Sequence, residues 1–139
     1  MALQLGLTTR NAMLDAIEAD LLVGGTAPIM RIRVGAPPAS CGDVDGAGTL
    51  LSTIALPADP FQNASAGSKA KSVAAWQDVA DGTGLAGHFR IYRTDQTTCI
   101  AQGTITATGG GGDMTVDNPN FVASQTFTVT AFTINAANG

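Results

Sequence analysis

The sequence predicts a mainly β protein, a β-sandwich or jelly roll carrying one N-terminal helix. Three observations point there. Apolar residues recur at helical spacing once, near the start. Strict alternation of apolar and polar residues then returns in several short runs. Turn-forming residues separate those runs about every 8–12 positions, the rhythm of a sandwich rather than of βαβ units. At 139 residues the chain suits a single domain over 1–139, with the helix at about 8–22 and the strands within about 28–135.

Met13, Leu14, Ile17 and Leu21 form the apolar stripe of the helix. Thr8 or Thr9 is the expected N-cap, and Gly24-Gly25 supplies the stop. Asp15, Glu18 and Asp20 fall largely off the stripe, so they are expected in solvent or against a partner. Arg10 near the first turn and Asp20 near the last both oppose the helix dipole, at about a few tenths of a kcal/mol each when exposed.

The first strand is 28–34, with Met30, Ile32 and Val34 on one face and Arg31 and Arg33 on the other. Residues 35–48, rich in Gly, Pro, Ser and Asp, read as a long loop. Thr49–Leu56 is the next strand, ended by Pro57 and Pro60. Residues 61–72 are small and polar and read as connection, and 73–79 around Trp76 as a strand. In 87–93, Phe89 and Ile91 oppose His88, Arg90 and Tyr92. Cys99–Thr108 alternates again, Gly109–Gly112 is a hairpin-type connector, and 114–116 and 125–135 complete the set. Phe127 and Val129 have one parity and Phe132 and Ile134 the other, so either a bulge near Ala131 or a strand covered on both faces is expected.

Composition narrows function by exclusion. Hydrophobic residues make up 45%, aromatics 5% and charged residues 13%, against about 25% charged in ordinary soluble domains. The surface must therefore consist largely of Ala, Thr, Gly, Asn and Ser, which desolvate cheaply and suit wide, flat protein contacts. One His, one Glu, one Trp, one Tyr and two Cys leave little for acid–base, nucleophilic or metal chemistry, so no enzyme activity and no cofactor are expected. The net charge of −4 and the scattered Lys and Arg argue against nucleic-acid binding. No apolar run reaches the roughly 18 residues of a membrane span, and the N-terminus lacks a signal-peptide pattern. The chain thus reads as a soluble product of the cytoplasm, in which Cys41 and Cys99 are expected as two buried thiols rather than a disulfide.

Several motifs reduce to turns. Gly82-Thr-Gly84-Leu-Ala-Gly87 matches a dinucleotide fingerprint, but a strand follows where a helix is required. Asp43-Val-Asp45-Gly46 begins like a calcium loop and lacks its closing Glu. His88, with no serine in a nucleophile-elbow context, reads as a surface or rim residue. The best contact candidates are Arg31 and Arg33 on one strand face and Arg90 with Tyr92 on another, because Arg and Tyr are enriched at interface hot spots.

The string Gly84-Leu-Ala-Gly-His-Phe-Arg-Ile-Tyr92, then Gln102-Gly-Thr, then Gly109-Gly-Gly-Gly-Asp-Met-Thr-Val-Asp-Asn118 resembles small structural proteins of tailed bacteriophages and prophages. The resemblance covers about the second half of the chain and rests on turns and strands, not on catalytic residues. It implies a capsid cement or decoration protein, commonly a jelly roll that sits on the shell as a homo-oligomer against the major capsid protein. The expected location is the virion surface, after synthesis in the host cytoplasm, without nucleic-acid or membrane contact. A tail or neck subunit is the alternative. A carbohydrate- or ligand-binding β-sandwich, with Trp76 or Tyr92 as its platform, is the third reading.

Overall fold

The computed structural model describes residues 2–25 and 27–137. It is mainly β with one N-terminal helix, α1 (Leu7–Leu21), as the alternation predicts. The strands are β1 (Ile29–Val34), β2 (Leu50–Ala55), β3 (Ser68–Ala70), β4 (Gln77–Val79), β5 (Gly84–Tyr92), β6 (Cys99–Ala107), β7 (Met114–Val116), β8 (Asn120–Phe121) and β9 (Thr126–Asn135). Hydrogen bonds join them along one path, β2-β1-β5-β6-β7-β9-β3, with β4 added on β9 and β8 on β5. This is a mixed, open sheet. The two facing sheets of a sandwich or jelly roll do not appear in the pairing.

The helix begins at Leu7 behind Gly6 and has no side-chain cap, so Thr8 and Thr9 lie inside the first turn rather than before it. Leu14 and Leu21 are buried, Ile17 is half-buried, and Met13 stands exposed at the edge of the stripe. The charges expected in solvent or against a partner are engaged within the chain. Asp15 and Glu18 both grip the Lys69 ammonium, at 2.7 and 2.9 Å. Glu18 also accepts the Phe61 amide, Asp20 pairs with Arg93, and Arg10 donates to the Ala136 carbonyl. Lys69 itself is 1% exposed. It lies in β3, inside the stretch that reads as polar connection, and a third acceptor, the Gln62 carbonyl, completes its hydrogen bonds. A buried ammonium persists only when so paired.

The core is aromatic despite the low aromatic content. Trp76 packs against Phe61 and Phe132, and Phe132 packs edge-on against Phe89 with ring centroids 5.2 Å apart. Trp76 is fully buried, and only Gln77–Val79 of the expected 73–79 strand pairs. Rings at such distances add to their area burial through edge-to-face attraction.

The bulge expected near Ala131 is present. Val116 pairs with Val129 while Thr115 pairs with Ala131, which leaves Thr130 as the extra residue on β9. Thr130 and Ala131 are both exposed, and the inward parity resumes at Phe132. The Gly109–Gly112 segment is not a hairpin connection, because β6 and β7 run parallel. Parallel neighbours ordinarily need a crossover of a dozen residues or more. Here the chain doubles back over Thr106, whose hydroxyl accepts the Gly112 amide. A Cβ on Gly110 or Gly112 would lie within 3.0 Å of Thr106 atoms, so glycine is required for that approach.

Candidate functional site

Alternation puts Arg31 and Arg33 of β1 and His88, Arg90 and Tyr92 of β5 on the outer face of the sheet. The four contact candidates thus share one face. Arg31 stands directly opposite Arg90, and Arg33 opposite His88. The face is not open, because loop 35–48 folds over it. Arg90 donates through Nη2 to the carbonyls of Cys41 (2.8 Å), Asp43 (3.0 Å) and Ser40 (3.4 Å). Gln102 donates to the Pro38 carbonyl, and Arg33 to the Gly48 carbonyl. His88 contacts the Gly35 carbonyl through Nδ1.

Three of the sequence expectations need correction here. Cys41 and Cys99 are joined as a disulfide, with Cα atoms 5.4 Å apart, rather than held as separate thiols. The bond ties the loop to the first residue of β6. His88 is 1% exposed rather than at the surface, because the loop that begins at Gly35 covers it. Arg90 (1%) and Tyr92 (3%) are likewise buried by their own chain. Alternation places these side chains on the correct face, but it carries no information about a loop that returns to cover that face.

Asp45 is the anion around which the face is organised. It lies 2.9 Å from Arg33, 3.6 Å from Arg31 and 3.9 Å from Arg90. Its place in the Asp43-Val-Asp45-Gly46 turn therefore serves arginines. Tyr92 sits between two guanidiniums, with the Arg31 and Arg90 Cζ atoms 4.8 and 5.6 Å from its ring centroid. The negative face of a ring attracts cations at such distances. Burial beneath the loop pushes the Asp45 carboxyl up. The Arg33 hydrogen bond and charge, with the Gly46 amide, outweigh this and hold it below its ordinary value.

A second surface lies at one pole and was missed from sequence. The turn after β4 and the turn after β8 are laced together: Ala80 donates to Gln125, Ser124 to Ala80, and Ala123 to the Thr83 hydroxyl. Leu85 pairs with Asn120, and Val122 follows directly on the end of that short ladder. Leu85 is 57% exposed, and Val79 and Val122 are also exposed. On β8 and β9 Phe121 and Phe127 are buried, with ring centroids 4.3 Å apart and planes tilted by 32°. By sequence parity Leu85 belongs with the inward Phe89 and Ile91, and only the register shift between Arg33 and Val34, which pairs Val34 with Ala86, turns it outward. Trp76 and Tyr92, the platform considered for a sugar ligand, are both buried and offer no open ring face.

Other carboxylates brace loops. The Asp113 carboxyl is lowered by the Thr104 amide and hydroxyl, and Asp95 falls to about 2 through the Thr98 hydroxyl and the Thr98 and Thr97 amides. Asp15 is lowered chiefly by the Lys69 hydrogen bond, then by the Ala64 amide. Since folding depresses all four carboxyls, their contribution is complete above the ordinary value of 3.8 and is lost as pH falls through the folded values. Urea midpoints are therefore expected to be level from pH 6 to about 4 and to fall below it. A midpoint that rises on acidification would contradict these assignments.

Among the described residues, no three His, Cys, Asp or Glu side chains come together in a group that could hold a metal ion, and no helix is long and apolar enough to cross a membrane. No protein-family model, curated protein or solved structure matches the chain.

Proposed function

We propose that the protein is a non-enzymatic virion structural protein, a capsid cement that binds across junctions of the major capsid protein. The observation that carries this reading is the exposure of three apolar side chains, Val79, Leu85 and Val122, on segments joined by hydrogen-bonded turns. Side chains held on a rigid base lose little freedom on docking, so their burial converts efficiently into affinity. A charge-poor surface around them adds little desolvation cost. The Cys41–Cys99 bond fits a particle released from its host, since disulfides persist outside reducing compartments. Contacts that exist only on the assembled shell would stabilise it by mass action. The resemblance of the second half of the chain to phage structural proteins supports the same reading.

Copy number per particle is the direct test. Quantitative mass spectrometry of purified virions should give a ratio to the major capsid protein near one to one, or a simple fraction of it. A few copies per hundred would assign the protein to the tail or neck, and absence from particles would remove the virion reading. Leu85→Asp should abolish particle binding at unchanged melting temperature, because Leu85 is more than half exposed. Undiminished binding of that variant would exclude the pole as the docking surface.

A further inference from the structure

The arginine face carries more positive charge than the chain itself neutralises. Arg31 and Arg90 are directly opposed on neighbouring strands, a placement that is destabilising for like charges. Arg33 adds a third guanidinium. Among the described residues, Asp45 is the one carboxylate within ion-pair distance of all three. Asp43 is nearby, but its carboxylate is engaged by the Ser40 amide and hydroxyl. Counting both aspartates, three cations face two anions.

The hydrogen bonds are just as uneven. Arg90 is engaged by three carbonyls of the loop, and Arg33 by Gly48 and Asp45. Among the described residues the Arg31 guanidinium donates no hydrogen bond. It rests on the Tyr92 ring, and its nearest anion, Asp45, is 3.6 Å away. The buried Tyr92 hydroxyl neighbours Asp45 without completing a hydrogen bond, and the Arg90 Nε is also buried without a partner. Buried donors left unpaired are costly and uncommon. Arg31, Arg90 and Tyr92 line one open cleft of about 340 Å³ together with both aspartates, Asp43 and Asp45, and loop residues that include Thr97.

We propose that this cleft binds a single carboxylate, seated on the Arg31 guanidinium and the Tyr92 hydroxyl. The planar guanidinium fork matches a carboxylate with two parallel hydrogen bonds. One added negative charge balances the three arginines against Asp43, Asp45 and the ligand. A free carboxylate and an acidic side chain of another protein offer the same chemistry. The site does not depend on the capsid reading and would exist if that reading failed.

The test is titration of ¹⁵N-labelled protein at constant ionic strength, with chloride replaced stepwise. One arm uses acetate, and the other a capped Ala-Glu-Ala tripeptide. Saturable shifts of the Arg31, Tyr92 and Thr97 amides are expected. Arg31→Met removes no hydrogen bond from the fold, so it should melt with the parent protein while losing about tenfold or more in affinity. Tyr92→Phe keeps the ring and should weaken binding in the same direction. Lys71→Met, at a cation outside the cleft, should leave it unchanged. Tighter binding of the tripeptide supports an acidic side chain as the natural occupant, and equal affinity supports a free carboxylate. Shifts that do not saturate in either arm, or that persist undiminished in Arg31→Met, would overturn the site.

Discussion

Replacing Cys41 and Cys99 together by serine is expected to lower the melting temperature by about 10–15 °C. The bond spans 58 residues of sequence. Releasing a loop of that length returns chain entropy to the unfolded state worth about 4 kcal/mol. The effect is expected even though the folded loop keeps its other ties, because Arg90, Arg33 and Gln102 still hold its carbonyls. Reduction by dithiothreitol should reproduce the shift in the parent protein and leave the double variant unmoved. Amide exchange should then separate two consequences. Global destabilisation speeds exchange throughout the core, whereas local release of the loop speeds exchange around residues 40–46 first. A melting temperature unchanged by reduction would contradict this unfolded-state account of the bond.

Lys69→Met should be the most damaging single substitution at the helix, at about 3–5 kcal/mol. Methionine fills a similar volume, so the loss is electrostatic rather than steric. Lys69 is 1% exposed and is held by Asp15, Glu18 and the Gln62 carbonyl. Removing it strands Glu18, which is largely buried while still accepting the Phe61 amide. Asp15 is half exposed and can turn to water. The second change Glu18→Gln is therefore expected to restore part of the loss in Lys69→Met, since a neutral amide costs less to bury than an unpaired carboxylate. Asp15→Asn should restore less. Denaturant midpoints of the parent and the three variants measure both effects. Equal recovery by the two, or none by either, would place the cost in packing instead. The same cluster has an alkaline signature. Burial opposes the charge on Lys69, but the hydrogen bonds and charges of Asp15 and Glu18 prevail and raise its pKa above 10.5. Its contribution is complete below that ordinary value and fades as pH rises through the folded one.

Much of the architecture was legible because it depends on local periodicity. The single helix, the strands β1, β2, β5, β6, β7 and β9, and the bulge on β9 all follow from which residues must face a common core. The bulge is the clearest case, since a parity change between Val129 and Phe132 has few physical solutions. Short strands were less legible. β3 is three residues long and carries a lysine at its centre, so neither hydrophobicity nor alternation marks it. β6 and β7 defeated the hairpin expectation because direction is a property of the whole sheet, whereas Gly109–Gly112 reports only that the chain turns sharply there.

The candidate site shows the same boundary. Arg31, Arg33, Arg90 and Tyr92 were recognisable as a polar face, and the structure gathers them on adjacent strands. That they lie beneath a loop, that Asp45 faces them and that Cys41 reaches Cys99 depend on residues brought together across 12 to 58 positions. The apolar pole likewise needs the 79–85 and 118–126 segments side by side.

By itself, then, the sequence determined the β-rich class, the lone helix, the inward residues of β1 and β9 and the poverty of groups suited to catalysis. These follow from composition and from short-range repeats, which act within a few residues. Only the tertiary structure decided strand order and direction, the burial of Lys69, His88 and Arg90, the disulfide and the two surfaces proposed to bind. Each of those rests on contacts between distant segments, where pairing energy and charge compensation replace local pattern as the governing physics.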